Sequence, residues 1–232
     1  MLSILIGAFM PCLIIFILLF FHECGHFLLA YLLHFDVDKI YFYPWGGISK
    51  FTTQLNVSLK REFLVLIAGP LFQILAYIIL KNTLFFSNYY NILKNINISL
   101  LIFNMLPIYP LDGGKLVNIL LNLVMSFKKS LIYTLYLSFI SVIIYLFINI
   151  KDLGINLIFI SCFLILKIID EKKKIGFYMD KFLLERYLYD FKFKKRKKVS
   201  SVNDFSRDKK HLIYTNNRYF SEKEILLKKF KK

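Results

Sequence analysis

Apolar residues in this chain run on in long unbroken stretches rather than recurring at the spacing of an amphipathic helix or a half-buried strand. The first clear stretch is Pro11 to Leu33; its proline suits the first turn of a helix. About 20 such residues cross a bilayer, so 11–33 is predicted as a membrane span. Met1–Met10 is apolar but too short to cross alone. Residues 62–80 predict a second span, interrupted at Gly69-Pro70. Residues 98–127 predict a third, with Pro107, Pro110, Gly113 and Gly114 in its middle. That pattern is a broken helix, tolerated at membrane depth only where it is buried in protein or lines a polar cavity. Residues 131–150 and 153–169 predict the fourth and fifth spans, joined by a tight turn at Lys151-Asp152.

Two regions break this pattern. The 37–54 loop, VDKIYFYPWGGISKFTTQ, reads as two short β-prone pieces around Pro44-Trp45-Gly46-Gly47. Trp45, set among tyrosines, suits a membrane interface. Beyond 169 the chain turns polar. Residues 170–198 predict a helical stretch ending in the run Lys192–Lys198, followed by a β-like piece at His211–Tyr214 and a helix from Ser221. Ser221 and Glu224 have capping-box spacing. The division predicted is 1–169 as the membrane domain, 170–199 as a basic helical linker and 200–232 as a short tail.

Composition agrees with the membrane reading: 57% of the 232 residues are hydrophobic, with 25 Phe and 15 Tyr, where soluble domains sit near 45–50% apolar. Cys12, Cys24 and Cys162 all fall in apolar stretches and read as small core residues, with no disulfide framework or CxxC zinc site. The N-terminus has no basic n-region and its apolar run continues into His22, so it does not read as a cleavable signal peptide.

The net charge is +16, and 20 of the 31 basic residues lie from Asp170 onward, against nine of the 15 acids. The positive-inside rule then predicts a cytoplasmic tail, with the 34–61 loop on the same side and the first span running from outside to inside. Attraction to an anionic leaflet is the simplest reading of the tail. It shows no recognisable nucleic-acid-binding motif, so nucleic acid is not an expected partner.

Glu23 and Asp112 are the two acids with long apolar stretches on both sides. A carboxylate at bilayer depth costs about 2.5–3.5 kcal/mol on insertion scales and needs a partner, a wet cavity or a metal. Glu23 sits in His22-Glu23-Cys24-Gly25-His26, an HExxH motif. Its two histidines are one helical turn apart, so both imidazoles leave one face and suit one Zn²⁺ at roughly 2.0–2.1 Å per nitrogen. Glu23 flanks the ion and suits a general base acting on its water. The bland alternative is a histidine pair hydrogen-bonded inside a bundle. Catalytic zinc takes three protein ligands. His34 lies about 12 Å along the helix axis from His26 and His211 lies in the tail; both read as ordinary surface or interface residues. Asp112, at the break in the third span, is the remaining intramembrane candidate. Two histidines and one carboxylate leave the shell at net +1, which ionised Glu23 neutralises.

Asn104-Met-Leu-Pro107-Ile-Tyr-Pro110-Leu-Asp112-Gly113-Gly114-Lys115 resembles the NxxPxxPxDGG signature of the site-2 family of intramembrane metalloproteases, and HECGH matches that family's HExxH. YPWGGIS (43–49), EFLVLIAGP (62–70) and FLLERY (182–187) resemble a branch of the family that works in sporulation. The resemblance implies His22, His26 and Asp112 as the ligands of one Zn²⁺ per chain, Glu23 as base, and Asn104 acting near the substrate or the oxyanion. It implies an all-α membrane fold of about five to six transmembrane helices, with a broken helix at the zinc site, a short β-prone membrane-associated loop and a small basic tail.

The implied activity is cleavage of a membrane-associated protein, a sigma-factor precursor, in a bacterial cell or sporulation membrane, with inhibitory membrane-protein partners an open part of that expectation. Two features depart from the branch. Ten residues stand where the family has a complete helix before the helix that carries HExxH. Residues 200–232 are too few for the family's nucleotide-sensing cystathionine-β-synthase domain, and chains below about 40 residues seldom fold alone. The competing readings are a metal permease, which calls for more intramembrane acids and histidines along a path, and a non-catalytic relative, against which the intact His22, Glu23, His26 and Asp112 argue.

Overall fold

The computed structural model describes residues 9–35, 37–43, 46–51, 55–83, 88–150, 154–191, 193, 195–215 and 218–230. The Lys151-Asp152 turn and Pro44-Trp45 lie outside them. The chain forms a mostly helical protein in two compact units, 1–53 with 61–105 and 54–60 with 106–232.

The first unit holds α1 (Phe9–Leu32), an antiparallel hairpin of β1 (Val37–Tyr43) and β2 (Gly46–Phe51), α2 (Leu59–Lys81) and α3 (Tyr90–Met105). The predicted β-prone pieces are therefore a hairpin, paired Tyr41 with Ile48 and Tyr43 with Gly46. α1 closes at His34, whose φ of 54° is left-handed. There His34 N–H donates to Tyr31 O and Phe35 N–H to Ala30 O, satisfying carbonyls that the ending helix strands. Ile14, Leu18, Ala76 and Leu93 form a buried apolar cluster in this unit. The interruption expected at Gly69-Pro70 is not a break: α2 runs through Pro70 without ending.

The second unit begins where the predicted broken helix breaks. α3 ends at Met105 and α4 (Asp112–Val124) starts after six intervening residues. The intervening loop contains a cis Tyr109-Pro110 bond. It is pinned by the Tyr109 N–H, which donates to Ser138 Oγ at 2.8 Å on α5 (Phe127–Ile148), and by Ile108, which is fully buried. α1, α2 and α5 are long and apolar enough to cross a membrane by length and composition. They coincide with the first, second and fourth predicted spans.

The fifth predicted span is the first half of α6 (Ile155–Leu188), a single 34-residue helix that continues well into the polar region. The helix expected over 170–198 thus ends at Leu188, and part of the basic run forms β3 (Lys195–Val199) instead. Strand pairing is the physical reason: β3 lies parallel to β4 (Lys209–Thr215), which pairs antiparallel with β5 (Arg218–Ser221). α7 (Glu222–Phe230) follows. The predicted capping box is formed, with Ser221 N–H donating to Glu224 Oε2 at 2.8 Å and Glu224 N–H to Ser221 Oγ at 3.4 Å.

This tail does not stand alone. Phe127, Met179, Phe182 and Leu183 share one core with Val199, Phe205, Ile213 and Leu226, so helices α5 and α6 supply four of its eight buried side chains. Beside that core lies a buried polar network. Arg186 donates to Asn56 Oδ1, Ser206 O, Lys209 O and Glu222 Oε1 at 2.7–3.0 Å. Burial pushes its guanidinium down to about 10, with Glu222 opposing, so it stays charged.

His211 was read from sequence as a surface or interface residue, and here the structure differs: it is wholly buried. Its ring stacks on Phe205 at 4.5 Å between centroids. Its Nδ1–H donates to Glu222 Oε1 at 2.6 Å, and its Nε2 accepts the Ser206 N–H at 3.0 Å. Every position of the ring is therefore spoken for in the neutral form. Burial pulls its pKa below the ordinary value, the Glu222 bond opposes this, and Arg186 and Lys197 add to the depression.

A second proton on Nε2 would face the Ser206 donor, so the folded tail disfavours imidazolium while the unfolded tail accepts it near pH 6.5. This contribution to stability is complete above that pH and declines as pH falls below it. Protection factors of the β4 amides, measured against the intrinsic exchange rate at each pH, are therefore expected to be lower at pH 5.5 than at pH 7.5. His211→Gln should flatten that dependence.

Candidate metal centre

The site is set first by the meeting of two helices. His26 and His22 are one turn apart on α1, and Val65, Gly69 and Gln73 recur every four residues on α2. The two faces match in antiparallel order. His26 Nδ1 lies 2.8 Å from Val65 O, and His22 Nδ1 lies 3.0 Å from Gln73 Oε1. Between these two bonds, Gly69 leaves the space that the His26 ring occupies: a Cβ there would collide with His26 Nε2, Cε1 and Cδ2. Directly beside it, Gly25 brings the backbones close, since a Cβ on it would stand 2.5 Å from Ala68 O.

These contacts assign the tautomers. A backbone carbonyl only accepts, so His26 carries its proton on Nδ1. Gln73 Nε2 donates to Asn97 O at 3.2 Å and to Asn97 Oδ1 at 3.0 Å, which turns the oxygen end of Gln73 toward His22. His22 therefore also carries its proton on Nδ1. Each Nε2 is left with its lone pair, and the two Nε2 atoms are 3.1 Å apart. Two lone pairs at that distance repel unless positive charge lies between them. Two nitrogens sharing a tetrahedral Zn²⁺ at 2.0–2.1 Å would be about 3.3 Å apart, so the pair is spaced as metal ligands are.

The candidate group is the imidazoles of His22 and His26 in the first unit and the carboxylate of Asp112 in the second, each buried. Asp112 opens α4, where the helix dipole favours a carboxylate. Lys115 Nζ, one turn on, donates to its Oδ1 at 2.9 Å. The donor set is two imidazoles and one carboxylate, which suits zinc in a catalytic rather than a structural site.

Glu23 is partly buried beside His22 and stands outside this group. Asn104 is half-buried on the last turn of α3. His34 closes α1 and His211 lies in the tail core, so neither joins the group. Sequence reasoning missed Gln73, Asn97 and Lys115. It also read Gly69-Pro70 only as an interruption of the second span, where the glycine makes room for the His26 ring. The missed signal was an uncharged amide inside an apolar span; only acids and histidines were weighed as costly at membrane depth.

The profile of Peptidase family M50 matches residues 10–94 and 81–148, more than half of the chain. The chain belongs to this family. It is 29% identical over 194 residues to stage IV sporulation protein FB of Bacillus subtilis (strain 168), covering 80% of this chain and 67% of that protein. It is 28% identical over 164 residues to a zinc metalloprotease of Methanocaldococcus jannaschii, covering 65% of this chain and 47%, less than half, of that protein. The solved structure of the site-2 protease from Methanocaldococcus jannaschii shares its fold, with a TM-score of 0.54 and 24% identity over 68% of this chain and 76% of that one.

The M50 chain is a membrane metalloendopeptidase of the site-2 protease type, with a metal cofactor and a protein substrate. Membership also accounts for the long apolar helices as spans of an integral membrane protein. Gly69→Ala is expected to displace the His26 ring and lower the metal content of the purified protein to well under half that of the parent. Metal analysis of the detergent-solubilised variant checks this.

Proposed function

We propose that this protein binds one zinc ion through His22, His26 and Asp112 and hydrolyses a peptide bond of a membrane-associated protein. The observation that carries the reading is the facing pair of Nε2 lone pairs, each imposed by an acceptor on the opposite ring nitrogen. When bound, zinc supplies Lewis acidity, making water a nucleophile near neutral pH and polarising the scissile carbonyl.

The chain's own residues do the rest. Glu23 takes the proton of the attacking water and gives it to the leaving amine. Asn104 donates a hydrogen bond to the oxyanion or the substrate backbone. Lys115 holds one carboxylate oxygen of Asp112, which favours the other as the ligand atom. The β1–β2 hairpin offers an edge to which an unwound substrate segment adds as a strand. A helical substrate must open in this way, because its amides are otherwise tied up in its own hydrogen bonds.

The likeness to the Bacillus sporulation protein supports a sigma-factor precursor as substrate. We assign catalysis to residues 1–169. The basic tail lies on the cytoplasmic side by the positive-inside rule, against anionic lipid.

Co-expression with a pro-sigma substrate tests the roles. Glu23→Gln is expected to lower cleavage by about 10²–10⁴-fold while leaving zinc bound. Asp112→Asn is expected to weaken both zinc binding and cleavage. Undiminished cleavage by Glu23→Gln would remove Glu23 as the base.

A further inference from the structure

We propose that Gln73 is a positioning residue of the metal centre, and that Asn97 sets which end of its amide faces His22. The inference rests on the reading of His22 as a ligand and goes beyond it, naming what makes His22 one. An imidazole has two nitrogens, and a metal needs the lone pair of a particular one. Left to itself in an apolar span, His22 would exchange between two tautomers and rotate about its side-chain bonds.

Gln73 removes both freedoms. Its Oε1 lies 3.0 Å from His22 Nδ1, so that nitrogen keeps its proton and the ring plane is held. The selection works only if the amide points the right way, because the reversed amide would present a donor to Nδ1 and select the wrong tautomer. Asn97 prevents reversal. Its backbone carbonyl and its Oδ1 both accept from Gln73 Nε2, and a flipped Gln73 would turn an oxygen onto two oxygens.

The relay is sealed. Gln73 is fully buried, and His22 and Asn97 are nearly so, at 2% and 5% exposure. It spans three helices of one unit, α1, α2 and α3. His26 has a simpler version of the same device in Val65 O, which cannot flip. The two ligands thus differ: one is oriented by backbone and the other by a side chain that must itself be oriented. Outer partners of ligating histidines typically contribute 10–100-fold in metal affinity.

The test uses the full chain purified in detergent, with zinc affinity measured by chelator competition and the Co²⁺-substituted protein followed by its visible ligand-field bands. Gln73→Met, which fills the space but accepts no proton, is expected to weaken zinc binding about 10–100-fold and to shift the Co²⁺ bands. Gln73→Glu, held as the neutral acid among apolar neighbours, keeps a C=O acceptor toward His22 and an O–H donor toward Asn97, and is expected to hold zinc within about threefold of the parent. Asn97→Ala leaves α2 intact and frees the amide to flip; a loss of about threefold to tenfold is expected. This second variant keeps the test open if Gln73→Met does not fold.

His22→Ala separates the two levels. If it keeps a full zinc equivalent, the ligand assignment itself is wrong. If it loses the metal while Gln73→Met and Asn97→Ala bind zinc with the parent affinity and spectrum, the positioning role is overturned. Loss in Gln73→Met with recovery in Gln73→Glu establishes it.

Discussion

Inside a bilayer there is no water to orient a polar side chain, so every imidazole, amide and carboxylate at membrane depth takes its direction from another group of the protein. The arrangement of α1, α2 and α3 follows from that constraint. Asn97 aims Gln73, Gln73 aims His22, and the Val65 carbonyl aims His26. An unmade bond anywhere in this series leaves a buried polar group unsatisfied, at about 1–3 kcal/mol, and it also frees an imidazole to turn. Stability and function therefore bear on the same few atoms, and the small residues Gly25 and Gly69 serve both by letting the helices come close enough for the bonds to form.

The second unit meets the same constraint with other groups. Its loop 106–111 is held by a backbone donor on Ser138 Oγ, and Asp112 is presented on the first turn of α4 with Lys115 at its side. Further along, the tail packs its apolar side chains against α5 and α6, around Phe127 and Phe182, whose rings stack at 4.4 Å. The charged groups Arg186 and Glu222 are buried as a hydrogen-bonded pair with neutral His211 against them. A buried pair of this kind specifies how the strands meet the helix more than it stabilises them, because desolvation consumes much of the attraction.

Much of this was legible without a structure. The spans at 11–33, 62–80 and 131–150 are long helices because a run of about 20 apolar residues is both necessary and sufficient for one in lipid. The break in the third span was legible because proline removes a donor and blocks the preceding turn. His22, Glu23, His26 and Asp112 stood out because charged and imidazole groups are costly among apolar neighbours. The same logic failed at Pro70, where α2 carries the proline within an unbroken helix. It failed again at the basic run near 195, where a parallel partner fourteen residues on, invisible to local pattern, drew the lysines into a strand.

What the chain determines by itself is therefore whatever depends on neighbours in sequence: span length, the one-turn spacing of the two histidines, the capping box at Ser221. What only the tertiary structure decided is direction. No spacing rule says which nitrogen of His22 is protonated, that a glutamine 51 positions away selects it, or that His211 is sealed in a core rather than left at the surface. Those are choices between states of nearly equal local energy, and the balance is tipped only by hydrogen-bond partners that folding brings from distant parts of the chain.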